Sequence, residues 1–444
     1  MSMATGFFQQ ALRGNLRDFR TVEGPDLIQR VEPFLEWQGR RRALALWPFA
    51  RRSVDSSGPL VEVGLSTGGR IRAVDFVTED HLALTRHPKT LAAAQEAIAQ
   101  VGLRCASSTL GSHHDGAAGR LEAALADFLK MDHVLTFRCG WTATFAAFKA
   151  ILRPQDHVVV DSGTDPALVD SARCATLRIS LHRRGDKDAM RRILARIRAK
   201  DTSNAILVVT ESLSDATSDA VDLRALREAA REYGAFLLVG VTNDLGCGGE
   251  DGTGQLGVQE LLGDVDFVVG SLAKVFAVNG GFVAARSPAI REYVRCFSGV
   301  DSRSMAMSPI EIAVALSSLS VVRSPEGRLL RERLRSNAIA LRAALAACGI
   351  GLQGQPSAVV PVVIGTEEIA RLTTTICHRL GAVVDLAEYP AASRGQAIIP
   401  LRLTVEHQRG HLEQGAQAVG RAVVESLAIL ARLGTDGHKL VAGV

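Results

Sequence analysis

From about Leu121 onward, short unbroken apolar runs alternate with longer stretches in which apolar residues recur every three or four positions. Runs such as Ile206–Val209 and Leu237–Val241 are too short for helices and lack the polar alternation of a half-exposed strand. The pattern predicts strands over 134–137, 157–160, 177–181, 205–209, 236–241, 267–270 and 281–284. It predicts helices over 121–130, 142–152, 188–198 and 223–233. Strands that are apolar on both sides, spaced by amphipathic helices, imply a sheet covered on both faces and therefore mostly parallel. Two further helices follow over 309–322 and 326–348, then strands and helices to about 425, then a tail over 434–444. The first 75 residues are patterned less clearly. They predict a helix over 26–37 and two short strands, 60–63 and 71–76, joined by a glycine-rich turn at 66–70. A helix over 90–101 comes after His87-Pro88. The chain is thus read as an α/β protein in three parts: an N-terminal segment 1–75, a large domain 76–325 with a mostly parallel mixed sheet, and a smaller α+β domain 326–444.

Composition narrows this picture. At 444 residues, with 47% hydrophobic and 22% charged residues, the chain can build a sizeable core in more than one domain. A net charge of +4 and the lack of a basic tract argue against nucleic acid as a partner. The cluster Arg40, Arg41, Arg42, Arg51, Arg52 is expected to lie on the surface. The 7 cysteines include no CxxC pair, so neither a zinc knuckle nor a disulfide framework is expected. No apolar run reaches the roughly 18 residues of a membrane span, and the first thirty residues lack a signal-peptide core; a cytoplasmic protein is expected.

The candidate chemistry centres on Lys274, in Asp-Phe-Val-Val-Gly-Ser-Leu-Ala-Lys, with Asn279-Gly280-Gly281 just beyond. A lysine in a Gly/Ser turn behind a buried strand is partly desolvated. That favours the neutral amine, which can form a Schiff base with a carbonyl compound. Ser271 lies three residues earlier and offers a hydroxyl to a phosphate beside it. A second phosphate element is Cys139-Gly140-Trp141-Thr142-Ala143-Thr144, where a strand gives way to a helix, leaving free amides and the positive end of the helix dipole for a dianion.

Read in order, these pieces resemble the α-oxoamine synthase family of pyridoxal-phosphate enzymes, of which the chain is identified as a divergent member. The resemblance runs from about Val74 to His407. It includes Glu79-Asp80-His81-Leu82-Ala83-Leu84, the helix Leu121–Phe128, the Cys139–Thr144 turn, and the glycine series Gly246, Gly249, Gly252, Gly254 ahead of Lys274. It implies an aminotransferase-like fold (fold type I) and pyridoxal 5'-phosphate as cofactor, held as a Schiff base on Lys274. The implied activity is condensation of an amino acid with an acyl thioester, carried by coenzyme A or an acyl-carrier protein. The implied assembly is a homodimer with sites at the subunit boundary, to which Ser302 and Ser304 are candidate contributors from the other subunit.

Several positions depart from the family pattern. The aspartate that pairs with the ring nitrogen is matched by Gly240, and a histidine three residues on by Asn243. The histidine that stacks on the ring is matched by Asp165, and a serine near the ring hydroxyl by Asp215. The arginine and histidine of the substrate loop become Thr109 and Ala118, and His113 and His114, in the loop where substrate would sit, are candidate substrate residues. Arg402, two residues beyond one family position but on the same strand face, is the candidate for the substrate carboxylate. Asp165 and Asp215 are candidates for acid or base work in a rebuilt site, or for plain turn capping. Three outcomes follow: the family condensation, other pyridoxal-phosphate chemistry on the same scaffold, or a catalytically degenerate partner subunit.

Overall fold

The computed structural model describes residues 8–20, 22–47, 58–64, 70–103, 116–300, 306–389 and 391–433. Two compact units are formed. One comprises Glu79–Ser214 with Asp219–Leu334; the other comprises Met1–Thr78, Asp215–Ser218 and Arg335–Val444.

The first unit is built on a seven-stranded sheet. Its strands are β3 (His133–Phe137), β4 (His157–Asp161), β5 (Ile179–His182), β6 (Ile206–Glu211), β7 (Phe236–Gly240), β8 (Phe267–Ser271) and β9 (Gly281–Ala285). Their order across the sheet is β3-β9-β8-β7-β6-β4-β5. The strands from β5 to β8 pair in parallel, while β9 is antiparallel to both β8 and β3. β6 is buried at every position and β7 at all but its first, as their unbroken apolar runs require. The helices Gly140–Ile151 and Pro166–Ala175 cover one face, where Ala143, Ala146, Leu168 and Ala172 pack on Leu207, Val209, Leu238 and Val269. The parallel strands end along one edge of the sheet, where ligand sites of open α/β sheets lie.

The predicted strands of this sheet are all present, with ends shifted by a few residues. The largest shift is in β5, which starts at Ile179 because Leu177 lies outside the sheet at 93% exposure. Besides the short helix Gly254–Val258, two ten-residue helices were not anticipated, Pro166–Ala175 and Pro288–Phe297. Each begins with a side-chain cap, Asp165 or Ser287, followed by proline at the first helical position, a start signal that also reads as a turn.

In the second unit the N-terminal segment does not stand alone. Its strand β2 (Arg70–Asp75) pairs antiparallel with β1 (Leu60–Gly64) and parallel with β11 (Ala382–Val383). The break between units falls at Leu334, inside the helix Pro325–Ala347, rather than at residue 325. The expected helix over 26–37 is a 3-10 turn, Gln29–Val31, running into an α-helix, Glu32–Ala43. Arg41 overturns the surface expectation for its cluster: it is 1% exposed, lies 3.7 Å over the Trp37 ring, and donates to the carbonyl of Ala11. Arg371 reaches Leu12 and Gly14 from the C-terminal part and pairs with Glu388 at 2.6 Å. β10 (Val359–Gly365) and β12 (Ala397–Arg402) form a separate antiparallel pair. Among the described residues no helix is long and apolar enough to cross a membrane, six cysteines are free, and no cluster of metal-binding side chains occurs.

Candidate active site

The helix start that follows β3 and the end of β8 meet closely because small residues let them. Cys139 caps the helix Gly140–Ile151: its Sγ accepts from the Thr142 amide at 3.4 Å, and Thr142 Oγ1 accepts from the Cys139 amide at 3.2 Å. The first amides of that helix have no acceptor within it, and its dipole places positive potential there. A β-carbon on Gly140 would stand 2.8 Å from Ser271 Cβ, so only glycine lets the helix start rest on the serine. Ser271 Oγ is thereby held beside the helix start; it donates to the Gly280 carbonyl at 3.3 Å and accepts from the Ala273 amide at 3.2 Å. Trp141 is half-exposed and stacks on Phe145, with ring centroids 5.5 Å apart.

Lys274 follows in the turn between β8 and β9. Its side chain is 12% exposed and makes an ion pair with Glu79 at 3.2 Å. Its ammonium also donates to Asn243 Oδ1 at 2.8 Å, while Asn243 Nδ2 donates to the Leu213 carbonyl at 3.0 Å. The enclosure expected from sequence is therefore present, but it is polar. The backbone clasps the same turn, since the His81 amide donates to the Lys274 carbonyl at 3.2 Å. Glu79 was noticed only as part of a matching signature. Its contact with Lys274 spans almost two hundred residues and left no local signal.

The glycine series is organised by a buried carboxylate. Asp244 Oδ1 accepts from Ser212 Oγ at 2.7 Å and Oδ2 from the Gln255 amide at 2.7 Å. Gly254 has φ +65°, and a β-carbon there would stand 2.7 Å from the Asp244 carboxylate. Burial raises the Asp244 carboxyl to about 6, against the two hydrogen bonds that lower it. Burial also pushes the neighbouring Cys247 thiol up to about 12, which leaves it unreactive.

The remaining candidates are placed as follows. Asp165 is the N-cap of the helix Pro166–Ala175, accepting from the Ala167 amide at 2.6 Å, and is exposed. Gly240 ends β7, buried. Arg402 and Asp215 belong to the second unit, where Arg402 Nη1 meets Asp385 at 2.8 Å and Nη2 meets Asp215 at 3.6 Å. Ala118 lies in the helix Ala117–Leu129. His113, His114, Thr109, Ser302 and Ser304 lie outside the described residues.

In one unit, then, the structure brings together Cys139, Gly140, Ser271, Asn243 and Lys274. The close seat of Gly140 on Ser271 and the enclosed Lys274 amine fit the two ends of pyridoxal phosphate, its phosphate and its aldehyde. Comparisons with known proteins bear on the family and the fold. The family model described as aminotransferase class I and II matches residues 74–419. The 8-amino-7-oxononanoate synthase of Sodalis glossinidius is 31% identical over 362 residues, 80% of this chain and 89% of that protein. The 2-amino-3-ketobutyrate coenzyme A ligase of Escherichia coli K12 is 26% identical over 382 residues, 84% and 92% of the two chains. Among solved structures, serine palmitoyltransferase from S. paucimobilis superposes with a TM-score of 0.82 at 24% identity, covering 90% of this chain and 99% of that one. The Sphingomonas wittichii serine palmitoyltransferase gives 0.81 at 22% identity, with the same coverage. At those identities the two structures establish the fold, the aminotransferase-like fold type I.

Proposed function

The chain belongs to the α-oxoamine synthase family, within the class I and II aminotransferases, and on that premise we propose that it joins an amino acid to an acyl thioester by forming a carbon–carbon bond. Enzymes of this family are pyridoxal-phosphate-dependent transferases. The observation that carries the reading is the Lys274 amine, 12% exposed and oriented by Asn243 and Glu79, one turn beyond Ser271. The cofactor, when bound, supplies an electron sink for a carbanion at the amino acid's α-carbon.

The chain's own groups do the rest. Gly140, Trp141 and Ser271 hold the phosphate through amides and a hydroxyl. Lys274 would hold the aldehyde end of the cofactor, and its amine would be the base within reach of the amino acid's α-proton. Asn243 accepts a hydrogen bond from the Lys274 ammonium and fixes its position, a task that a neutral amide performs without taking the proton away. Arg402, which meets Asp385 and Asp215 in its own unit, remains the candidate for a carboxylate of the substrate. The acyl group arrives on coenzyme A or an acyl-carrier protein. We place the enzyme in the cytoplasm as a homodimer.

The test begins with colour. Protein incubated with pyridoxal phosphate and then treated with borohydride is expected to carry the label on the peptide containing Lys274, and Lys274→Ala to carry none. Thiol release from a panel of acyl thioesters and amino acids then separates the readings. Colour with no condensation product in any pairing favours different chemistry on this scaffold, a second reading motivated by Gly240 in place of a carboxylate. No uptake of cofactor, together with co-purification of an active relative, identifies a degenerate partner subunit.

A further inference from the structure

The glycine series borders a basic pocket that takes no part in the proposed reaction. The pocket measures about 560 Å³, and its lining residues all belong to the first unit. They come from the loop at Glu250 and Asp251, the short helix Gly254–Val258 and the start of the helix Pro325–Ala347. Three guanidinium groups line it, Arg323, Arg328 and Arg331, against two carboxylates, Glu250 and Asp251. Arg331 is the fixed member. It is 6% exposed and donates only to backbone carbonyls, from Nε and Nη2 to Glu250 at 3.2 and 2.6 Å and from Nη1 to Val322 at 2.7 Å. Gly252, at φ +86°, lets the loop lie on it, since a β-carbon there would stand 3.2 Å from Arg331 Nη1. Carbonyls solvate the guanidinium but do not neutralise it, and among the described residues no carboxylate pairs with Arg331. A buried cation without a counter-charge is costly, and an anionic ligand relieves that cost.

The other two arginines are exposed and loosely held. Arg323 meets Asp127 at 2.7 Å, and Asp127 also holds Lys130 at 2.9 Å, so Arg323 can turn to a ligand without leaving that carboxylate alone. Arg328 reaches Glu250 only at 3.9 Å. Exposed pairs of this kind contribute little to stability. Asp251 is turned onto its own loop, its Oδ1 accepting from the Thr253 amide at 3.0 Å and from the Thr253 hydroxyl at 2.6 Å. The two carboxylates therefore do not cancel the three arginines. Guanidinium forks match phosphate oxygens in pairs, which a compact ammonium does not. The volume is far more than one phosphate needs and falls among small-molecule sites, which span about 300–1,000 Å³. Val258 and Leu262 add an apolar wall to the same pocket.

We propose that this pocket binds a phosphorylated ligand of nucleotide size, with its phosphate or diphosphate on Arg323, Arg328 and Arg331 and its less polar part against Val258 and Leu262. A free nucleotide and the nucleotide end of coenzyme A share that chemistry. The site stands on its own arginines and does not need the pyridoxal-phosphate reading; only the choice of coenzyme A as its occupant would tie it to the proposed condensation.

The experiment titrates pyrophosphate, ADP and coenzyme A into the full-length protein by calorimetry at low salt. The protein is first loaded with pyridoxal phosphate, reduced with borohydride and dialysed, so that the phosphate edge at Gly140 and Ser271 is already filled. Wild type is expected to bind ADP or coenzyme A at one per chain, more weakly as salt is raised. The double variant Arg323→Gln with Arg328→Gln should bind about tenfold or more weakly, the scale of losing at least one charge-assisted hydrogen bond. Arg328→Glu alone, at an exposed position, should show the same direction of loss and decides the matter if the double variant fails to fold. Lys187→Gln with Arg192→Gln, an equal change of charge on the exposed face of the helix Lys187–Arg198, should leave binding unchanged. Coenzyme A binding well above ADP makes the acyl carrier the occupant, and equal binding makes it a free nucleotide. No binding, equal losses in both double variants, or pyrophosphate binding as tightly as ADP (an adventitious ion only) overturns the proposal. Should borohydride fix no cofactor to Lys274, the condensation reading fails, while wild type against the arginine variants still decides this one.

Discussion

On the proposed reading, the phosphate edge of the site and the ring edge lie in the same unit and on the same sheet, yet they differ in how far they keep to the family pattern. At the phosphate edge Gly140, Ser271 and Lys274 occupy family positions, and the geometry leaves little freedom: a β-carbon at Gly140 would meet Ser271 Cβ at 2.8 Å. At the proposed ring edge Gly240, Asn243 and Asp165 stand where the resemblance leads one to expect an aspartate and two histidines. The difference is one of physical kind. Phosphate binding is done largely by backbone amides and a close helix–strand approach, so it depends on glycine and on fold. Ring binding is done by side-chain charge, which no close backbone approach fixes, so the residues there can change without disturbing the fold.

The sharpest way to break the comparison is at the amine. Lys274→Ala removes both the covalent anchor and the proposed base, and turnover is expected to fall by about 10³-fold or more, on the scale of losing a nucleophile or general base. Steady-state thiol release checks it. Near-normal turnover in that variant would remove the shared premise of both edges.

Gly140→Ala attacks the phosphate edge alone. The new methyl must displace Ser271 or the helix start, and an overpacked site of this kind costs about 1–3 kcal/mol. Affinity for pyridoxal phosphate, followed by fluorescence quenching, is expected to fall about tenfold or more, each 1.4 kcal/mol being about a factor of ten. Chemical denaturation should show a smaller loss in the apo protein. Equal losses in both would mean that the glycine serves packing and not the ligand.

How much of this was legible beforehand follows the same division. The strands of the large sheet announce themselves because burial on both faces forces continuous apolar runs, as in β6 and β7. The phosphate edge is local in sequence, so Cys139–Thr144 and Ser271–Lys274 stand out as short motifs. The Glu79–Lys274 pair and the β2–β11 pairing join residues hundreds of positions apart and have no period to betray them. Arg41 belongs with them, since its burial rests on Trp37, Ala11 and Glu388.

Asp244 tests the support beneath the ring edge through pH. Its carboxyl is raised by burial from 3.8 to about 6, so the folded protein holds this proton more tightly than the unfolded chain does. Between pH 4 and 6 the folded state then binds more protons, and stability falls as pH rises through that window, by at most about 3 kcal/mol from this group, before levelling above it. Asp244→Asn keeps one acceptor for Ser212 or Gln255 and removes the titration. Urea denaturation across pH 4–7 is expected to give a flatter stability profile in the variant. An identical slope in both proteins would show that the wild-type dependence has another source.

The smallest expected effect is at Asp165, and it decides whether this residue only caps a helix or also moves a proton. Asp165 accepts from the Ala167 amide at 2.6 Å, ahead of Pro166 at the first helical position. A cap of this kind is worth about 1 kcal/mol against alanine and almost nothing against asparagine. If capping is its whole task, Asp165→Asn leaves stability and turnover within about twofold of wild type, and Asp165→Ala loses about 1 kcal/mol of stability with little change in the KM for amino acid. If Asp165 also moves a proton, asparagine should fold as well as aspartate while turnover drops about 10²-fold or more. Its exposure favours the cap, because an acid or base at work on substrate gains from a dry setting that tunes its proton affinity, and Asp165 is open to water.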